Sequence, residues 1–247
     1  MKIDTFLVPN FEIEEDYFNN SLCIYIDVLR ASSTICAAIM NGAKEIIPIA
    51  DAEQAMRIYS GLDREIRLIG GEKNMQKPAN FNLGNSPLDY SRELVEDKTI
   101  IFSTTNGTNI LQYGRNSQHR IITAFVNLHK TIENIETILK NNNKIDSINI
   151  LCAGNNTLFS YEDTLCAGNL ISELARLTDT ELSDSAHAAK VLFEFHKIDL
   201  FNFIKSRDHA QRMANMELES DIDLCLQYDI FPVVPVIEGI SIKKSRI

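Results

Sequence analysis

The stretch Leu22–Gly42, LCIYIDVLRASSTICAAIMNG, decides the fold class predicted for this chain. Its first part, Leu22 to Val28, is a nearly continuous apolar run, which is typical of a strand buried on both faces of a parallel sheet. An apolar pattern with helical spacing begins at Ile35 and stops at Asn41-Gly42, where glycine is a common helix terminator. The stretch therefore predicts a strand, a short turn and a helix.

The turn between this strand and helix carries the residue types of an anion site. Asp27 ends the strand, Arg30 follows, and three hydroxyl residues open the helix: Ser32, Ser33 and Thr34. Backbone N–H groups at a helix start suit phosphate or sulfonate, and a guanidinium adds charge-assisted hydrogen bonds. Asp27 is placed to hold a divalent cation. The alternative is structural, because Ser and Thr are common N-caps and Asp often ties down a turn.

The rest of the chain alternates short apolar strands with helices. Further strands are predicted at Lys44–Ala50, Ile66–Ile69, Lys98–Ser103, Arg120–Phe125 and Ser147–Cys152. From Ser183 onward the pattern is mainly helical, and a terminal hairpin is predicted around Glu238-Gly239. We therefore predict an α/β fold, a three-layer α/β/α arrangement with a mostly parallel central sheet. Because the sequence has no repeat, linker or low-complexity tract, it is interpreted as a single domain, residues 1–247.

Composition limits the function classes. The chain has 247 residues, a formal net charge of −10 and a pI near 5.0, which argues against nucleic acid or an anionic membrane as the main partner. A small anionic substrate stays compatible, because a few basic groups and a metal can reverse the field inside one cleft. The five cysteines have no C-x-x-C spacing and no run of 18 apolar residues occurs, so we expect a reduced, cytoplasmic protein.

Small and polar residues follow most of the predicted strands. In open α/β sheets, ligands bind outside the carboxyl ends of the strands, so these loops are expected to form one site. Glycine lets backbone N–H groups approach an anion, and threonine and asparagine add uncharged hydrogen bonds. Besides Asp27 and Arg30, the loops contain Gly71-Glu72, Thr104–Thr108, Asn127 and Gly154-Asn155. Each loop alone is equally compatible with an ordinary turn.

The predicted site is rich in carboxylates and has no histidine cluster. Glu72 follows a strand, and Glu162 and Asp163 open a predicted helix, where acids also serve the helix dipole. Zinc is disfavoured because the five histidines lack a metal-ligand spacing. Oxygen-only ligands suit Mg²⁺, which proteins hold through one or two carboxylates, waters and substrate oxygens. We therefore predict Mg²⁺ as the cofactor, with Asp27, Glu72, Glu162 and Asp163 as candidate ligands.

Seven stretches carry a resemblance to a known family. They are Ile26–Ile35 (IDVLRASSTI), Gly70–Glu72 (GGE), Leu83–Pro87 (LGNSP), Thr104–Thr108 (TTNGT), Cys152–Gly154 (CAG), Glu162–Gly168 (EDTLCAG) and the region from Asp221 through Val234-Pro235. In this order and combination the chain resembles the 2-phosphosulfolactate phosphatase family, the Mg²⁺-dependent phosphatases of coenzyme M biosynthesis. Three residues depart from the family pattern: Lys73 replaces Arg, Asn82 replaces Asp, and Ala210 replaces the Gly that usually follows His209.

The resemblance implies a phosphatase that converts 2-phospho-3-sulfolactate to 3-sulfolactate and phosphate. We predict Asp27, Arg30 and Asn106 as catalytic residues, with Arg30 gripping the phosphate or sulfonate. The predicted substrate-binding residues are Ser32, Ser33, Thr34, Thr104, Thr105, Gly107, Thr108 and Asn127. Two alternatives stay open, a phosphatase of another small carboxylated phospho-acid and a non-catalytic anion-binding module. Neither nucleic acid nor a membrane is expected as a partner, and a homo-oligomer is left open.

Overall fold

The structure, a computed structural model, describes residues 1–9, 12–142 and 144–247. Within them, ten strands form one continuous sheet. The strands are β1 (Lys2–Phe6), β2 (Ser21–Ile26), β3 (Glu45–Pro48), β4 (Arg67–Gly71), β5 (Thr99–Ser103), β6 (His119–Thr123), β7 (Ser147–Cys152), β8 (Glu181–Leu182), β9 (Pro235–Glu238) and β10 (Ser241–Lys244). The α-helices are α1 (Ala31–Met40), α2 (Ala52–Gly61), α3 (Arg92–Val95), α4 (Gly107–Ile110), α5 (Leu128–Asn141), α6 (Tyr161–Leu177), α7 (Asp184–His196), α8 (Leu200–Lys205), α9 (Asp208–Ala214) and α10 (Glu219–Cys225). Among these helices, none combines the length and apolar character needed to cross a bilayer.

The sheet consists of two parallel groups joined by an antiparallel hairpin. Its strand order is β4-β5-β3-β10-β9-β6-β2-β7-β1-β8. Neighbours pair in parallel within β4-β5-β3 and within β6-β2-β7-β1-β8, whereas β3-β10, β10-β9 and β9-β6 pair antiparallel. Helices lie on both faces of the sheet, so the predicted three-layer α/β/α fold with a mostly parallel sheet is confirmed. The predicted C-terminal hairpin is also present, with Gly239 in its turn at a φ of +61°.

The two parallel groups run in opposite directions along the sheet, yet their carboxyl ends meet. Three antiparallel steps separate β3 from β6, which reverses the strand direction. Since neighbouring strands twist by about 20–25°, the five steps from β5 to β2 turn the strand axis by roughly 100–125°. This rotation accounts for the approach of the two groups. A Cβ on Gly107, which lies shortly after β5, would be 2.6 Å from Oδ2 of Asp27, the residue after β2.

Helix α1 is a core element rather than a surface helix. Every residue from Ala31 to Ile39 is buried, and only Met40 is exposed. The helix packs on β6, β9 and β10, and a helix that is buried on all sides must be apolar or hydrogen-bonded around its whole circumference. The predicted end is confirmed, because α1 stops at Met40 and Gly42 follows with a φ of +94°.

The C-terminal hairpin connects the two parallel groups through few pairs. Ile242 of β10 pairs with Ile46 of β3, and Val236 of β9 pairs with Ile121 of β6. Ile46, Ile121 and Ile242 are fully or almost fully buried. The hairpin therefore carries both backbone pairing and core packing at the centre of the sheet.

We expect Ile242→Ala to destabilise the whole protein. Truncating a buried isoleucine to alanine costs about 2–5 kcal/mol, and Ile242 is fully buried. Ile240→Ala in the same hairpin is the matched control, because Ile240 is 78% exposed and its loss should stay within about 0.5 kcal/mol. Urea unfolding measures both free energies of unfolding. Equal values for the two variants would show that the hairpin does not hold the sheet together.

Candidate active site

A cleft lies where the carboxyl ends of β2, β4, β5 and β7 converge. Its volume is about 180 Å³. The ionisable residues that line it are Asp27, Arg30, Glu72 and His209. Of the uncharged residues in the loops predicted to form the site, Thr104, Thr105, Asn106 and Asn155 line the cleft. The structure thus brings together residues from loops that are far apart in the sequence.

Asp27 follows the last residue of β2 and caps α1. Its Oδ1 accepts the Ala31 N–H at 3.1 Å, and its own backbone N–H donates to Ser32 Oγ at 2.9 Å. Its Oδ2 faces Gly107, where a Cβ would come within 2.6 Å. Glycine at this position therefore leaves space beside the carboxylate.

The surroundings of Asp27 favour its protonated form. Burial raises the pKa of Asp27 to about 6, and the charges of Glu72 and Glu162 act in the same direction. The Ala31 N–H and His209 oppose the shift. A carboxylate that is costly to ionise when alone gains most from a cation beside it.

The three hydroxyls at the start of α1 bond to backbone groups and do not line the cleft. Ser32 Oγ accepts the backbone N–H described above, Ser33 donates to Val28 O at 2.9 Å, and Thr34 donates to Asn85 O at 2.9 Å. All three residues are buried. The geometry agrees with the structural alternative for Ser32, Ser33 and Thr34 and places them behind the site.

Arg30, which follows a cis peptide bond, lines the cleft and is held by two contacts within the protein. Its Nη1 lies 2.5 Å from Asp221 Oδ2, and its Nη2 donates to Met75 O at 3.0 Å. The other oxygen of Asp221 accepts the Ser86 hydroxyl at 2.5 Å. Both side chains of the ion pair are about 5% exposed, so Arg30 is fixed in orientation and its charge is balanced within the protein.

Glu72 links the ends of β4 and β5. Its Oε1 accepts the Thr105 N–H at 2.6 Å, and its Oε2 accepts the Thr105 hydroxyl at 3.1 Å and the Met75 N–H at 2.7 Å. The preceding Gly71 has a φ of +131°, and a Cβ there would lie 1.8 Å from Ser103 O. Glycine is thus required for β4 to approach β5 closely enough to place Glu72.

The TTNGT loop divides into residues at the cleft and residues behind it. Thr108 donates its N–H to Thr104 Oγ1 at 3.1 Å and its hydroxyl to Thr104 O at 2.8 Å. These bonds close the turn, and Gly107 and Thr108 do not line the cleft. Asn106 does line it, and its Oδ1 accepts the Asn156 N–H at 3.2 Å. This last bond joins the loops that follow β5 and β7.

Asn127 lies outside the cleft. Its Oδ1 accepts the Ala124 N–H at 2.9 Å, and its Nδ2 donates to Val233 O at 3.0 Å. The side chain is fully buried. Its predicted contact with substrate receives no support from this placement, because its amide is used to hold backbone segments together.

The two acids that open α6 also lie behind the cleft. Asp163 accepts the Val28 N–H on Oδ1 at 2.8 Å and the Gly154 N–H on Oδ2 at 3.0 Å. Burial raises the pKa of Asp163, and the neighbouring charges of Asp27 and Glu162 raise it further. Glu162 lies 2.5 Å from His209 Nδ1. Both carboxylates are therefore engaged by the protein, and neither lines the cleft.

His209 of α9 is a cleft residue that sequence reasoning missed. Its Nδ1 contacts Glu162 Oε1, which leaves Nε2 as the nitrogen available to the cleft. Its only signal in the sequence was a place in the family pattern, next to the unusual Ala210. Local spacing gives no indication, because His209 and Glu162 are 47 residues apart.

Two tight turns form the upper walls of the cleft. In one, Lys73 and Gln76 exchange backbone hydrogen bonds, and Asn74 and Met75 have positive φ values. In the other, Asn155 and Leu158 do the same, with Asn156 and Thr157 at positive φ. Positive φ at both central residues is the geometry of a type I′ turn, which usually requires Asn or Gly. Met75 and Thr157 break that preference, so neither turn was predictable from its residue types.

The donors in the cleft fit a hard divalent cation. Within the described residues, no three carboxylates, histidines or cysteines approach closely enough to form a metal cluster on their own. Mg²⁺ needs only one or two carboxylates besides waters and substrate oxygens. Asp27 and Glu72 line the cleft, as does Asn85, whose buried Oδ1 has no hydrogen-bond partner in the described part of the chain. Of the four carboxylates predicted as ligands, Asp27 and Glu72 line the cleft, whereas Glu162 and Asp163 do not.

An α/β sheet whose strand ends enclose carboxylates, a fixed guanidinium and a histidine has the features of an enzyme for small phosphorylated molecules. Comparison with known proteins makes the class specific. The sequence model of a family described as 2-phosphosulpholactate phosphatase matches residues 8–239. The chain therefore belongs to the 2-phosphosulfolactate phosphatase family, and the predicted class, a phosphoric monoester hydrolase, is confirmed.

Individual relatives align with this chain over almost their whole length. A protein of Thermotoga maritima is 40% identical over 223 residues, which cover 90% of this chain and 92% of the relative. A protein of Caldanaerobacter subterraneus subsp. tengcongensis is 36% identical, with 90% of each chain covered. A protein of Caldicellulosiruptor saccharolyticus is 36% identical, with 99% of this chain and 100% of the relative covered. Each bears the name "Probable 2-phosphosulfolactate phosphatase".

We expect Asp27→Asn to stabilise the metal-free protein above pH 6. The pKa of Asp27 in the fold, about 6, exceeds the ordinary value of 3.8, so the folded state binds more protons between these pH values. Stability of the native chain therefore falls as pH rises through this window. Asparagine keeps an oxygen for the Ala31 N–H but has no carboxylate to ionise. It therefore removes the free-energy cost of ionising a buried acid, which is up to about 3 kcal/mol at 1.36 kcal/mol per pKa unit.

Urea unfolding in EDTA at pH 4 and pH 7.5 measures this difference. The increase in the free energy of unfolding of Asp27→Asn over the native chain should be present at pH 7.5 and nearly absent at pH 4. Asp221→Asn is the matched control, because it leaves Arg30 buried without its anion and should cost about 3–5 kcal/mol. A gain for Asp27→Asn that is equal at both pH values would contradict the electrostatic origin.

Proposed function

We propose that this protein is a Mg²⁺-dependent phosphatase that hydrolyses 2-phospho-3-sulfolactate to 3-sulfolactate and inorganic phosphate. The observation that carries the proposal is one cleft in which two carboxylates, Asp27 and Glu72, face a fixed Arg30 and a paired His209, in a chain of this family. A cytoplasmic location and a part in coenzyme M biosynthesis belong to the same proposal.

Asp27 and Glu72 would hold the Mg²⁺, with Asn85 Oδ1 as an additional oxygen. All three residues line the cleft, and the Asn85 oxygen is buried without a partner in the described residues. When bound, the ion supplies Lewis-acid stabilisation of charge on the phosphate oxygens. Glu162 and Asp163 then act indirectly, by fixing His209 and the strand ends.

Arg30 binds the phosphate. A guanidinium has five N–H donors, and the contacts with Asp221 and Met75 use one donor on Nη1 and one on Nη2. Because these contacts fix the orientation in advance, no reorganisation is needed when charge develops on the transferring group. Lysine cannot reproduce this arrangement, since it has no planar fork to share between an acid and a phosphate.

His209 protonates the oxygen that leaves phosphorus. The alkoxide of a secondary alcohol is a poor leaving group, so proton donation from a positioned acid contributes strongly to the rate. Glu162 contacts Nδ1, which orients the ring and directs Nε2 to the cleft. As the oxygen of a water molecule bonds to phosphorus and the bond between phosphorus and the ester oxygen breaks, the proton on Nε2 passes to the ester oxygen. The attacking water gives up a proton to the solvent, and His209 takes a proton back from the solvent before the next turnover.

A substrate panel with and without metal tests the proposed function. We expect phosphate release from 2-phospho-3-sulfolactate in Mg²⁺, loss of this release in EDTA, and recovery when Mg²⁺ is restored. Faster release from another phosphorylated hydroxy acid would replace the substrate but keep the chemistry. Binding of these esters without phosphate release at any metal concentration would leave a non-catalytic anion-binding module.

His209→Gln tests the proton donor through the leaving group. We expect the alkyl ester 2-phospho-3-sulfolactate to lose about 10²- to 10⁴-fold in kcat/KM, the usual contribution of general acid catalysis. p-Nitrophenyl phosphate should lose much less, because nitrophenolate leaves without a proton. Arg30→Lys is the matched control and should lower both reactions by about ten- to hundredfold, because the phosphate contact is common to both esters. Equal losses for both esters in His209→Gln would remove this residue as the acid.

A further inference from the structure

A second depression adjoins the cleft and shares part of its wall. Its volume is about 280 Å³, and its polar lining residues are Thr105, Asn106, Asn109, Asn156 and Thr157. We refer to this set as the asparagine groove. Thr105, Asn106 and Asn156 line both the groove and the cleft, so the two spaces share these wall residues.

The asparagine groove offers hydrogen bonds and no charge. None of the described residues that line it is ionisable. Within the groove wall, Asn109 Nδ2 donates to Thr105 O at 2.8 Å, and Asn106 Oδ1 accepts the Asn156 N–H at 3.2 Å. The second bond uses the Asn106 oxygen, one of the two polar atoms of this carboxamide.

The charges of the cleft favour only one anionic group of a substrate. Arg30 and His209 are each paired with an acid, and Asp27 and Glu72 add two further carboxylates. A phosphate can use Arg30 and a bound cation, but a second anion in the same space would meet these carboxylates. The groove has no carboxylate among its described residues. A sulfonate spreads its charge over three weakly basic oxygens, which suit neutral N–H and O–H donors.

We propose that the asparagine groove binds the sulfonate arm of the substrate while the phosphate ester occupies the cleft, an inference that rests on the proposed function. The two groups stand on neighbouring carbons of the proposed substrate, so they must bind side by side. The shared wall at Thr105, Asn106 and Asn156 provides this arrangement. The groove thereby becomes the part of the site that distinguishes a sulfonated hydroxy acid from a simpler phospho-acid.

Charge substitutions at Thr157 test this assignment. Thr157 is exposed at a φ of +64° and lines the groove but not the cleft. The variants are Thr157→Asp, Thr157→Lys and the neutral Thr157→Asn, since Asn tolerates this backbone region. Their KM values are compared for 2-phospho-3-sulfolactate and for 2-phospholactate, which keeps the phosphate and carboxylate but lacks the sulfonate.

The test compares the KM for 2-phospho-3-sulfolactate with the KM for 2-phospholactate, expressed as their ratio. For Thr157→Asp we expect the KM ratio, sulfolactate ester over lactate ester, to rise about fivefold. For Thr157→Lys we expect it to fall by a similar factor. A factor of about five corresponds to the usual strength of an exposed charge interaction. Asn74, at a φ of +54° in the opposite turn, lines only the cleft. Its Asp and Lys variants serve as matched controls and should shift both KM values together.

The possible outcomes distinguish a failure of the groove assignment from a failure of the proposed function. If the Thr157 variants shift both esters equally, or shift neither, the groove does not bind the sulfonate and the proposal is overturned. If the native protein hydrolyses neither ester in Mg²⁺, the proposed function fails and the groove assignment falls with it. If both esters are hydrolysed but the KM ratio stays unchanged, the groove assignment is wrong and the proposed function stands.

Discussion

A buried carboxylate, Asp163, is the constraint on which the geometry of the cleft depends. Its two oxygens accept backbone N–H groups from Val28 and Gly154, which follow β2 and β7. The bonds fix the two loops relative to each other and aim Asp27 and Asn155 into the same space. Burial makes this carboxylate costly to ionise, as its raised pKa shows, so the fold sacrifices stability at this point to obtain a rigid site.

The same principle organises the basic groups of the cleft. Arg30 is paired with Asp221 of α10, and His209 of α9 is paired with Glu162 of α6. Each base is thus oriented by an acid from a different helix, and the C-terminal helices become part of the site without contributing their own acids to the cleft lining. Removing either acid would leave the basic side chain without a charged partner and without a fixed orientation. Catalysis depends on that orientation more than on charge alone.

The fold was predictable where a segment carries its own pattern. The apolar run of β2, the helical spacing of α1 and the glycines at 42 and 239 are local signals, and each predicted element is present. Strand β1 was missed because KIDTF is short and half polar, although it pairs with β7 and β8. The reversal between the two parallel groups was not predictable, since it arises from single pairs between the hairpin and strands at least 115 residues away.

The candidate site shows why adjacency in sequence is a poor guide to adjacency in function. Ser32, Ser33 and Thr34 are close to Asp27 in the chain, yet their hydroxyls bond to the backbone. Ser32 and Ser33 do so within the turn, and Thr34 donates to Asn85 O. The partners that decide the chemistry come from far away, as Asp221 lies 191 residues from Arg30 and Glu162 lies 47 residues from His209. Asp27 takes a partner from its own turn, the Ala31 N–H, whereas the acids that orient Arg30 and His209 come from other helices. A local motif therefore predicts where a site begins, whereas its working geometry is set by contacts that only the folded chain creates.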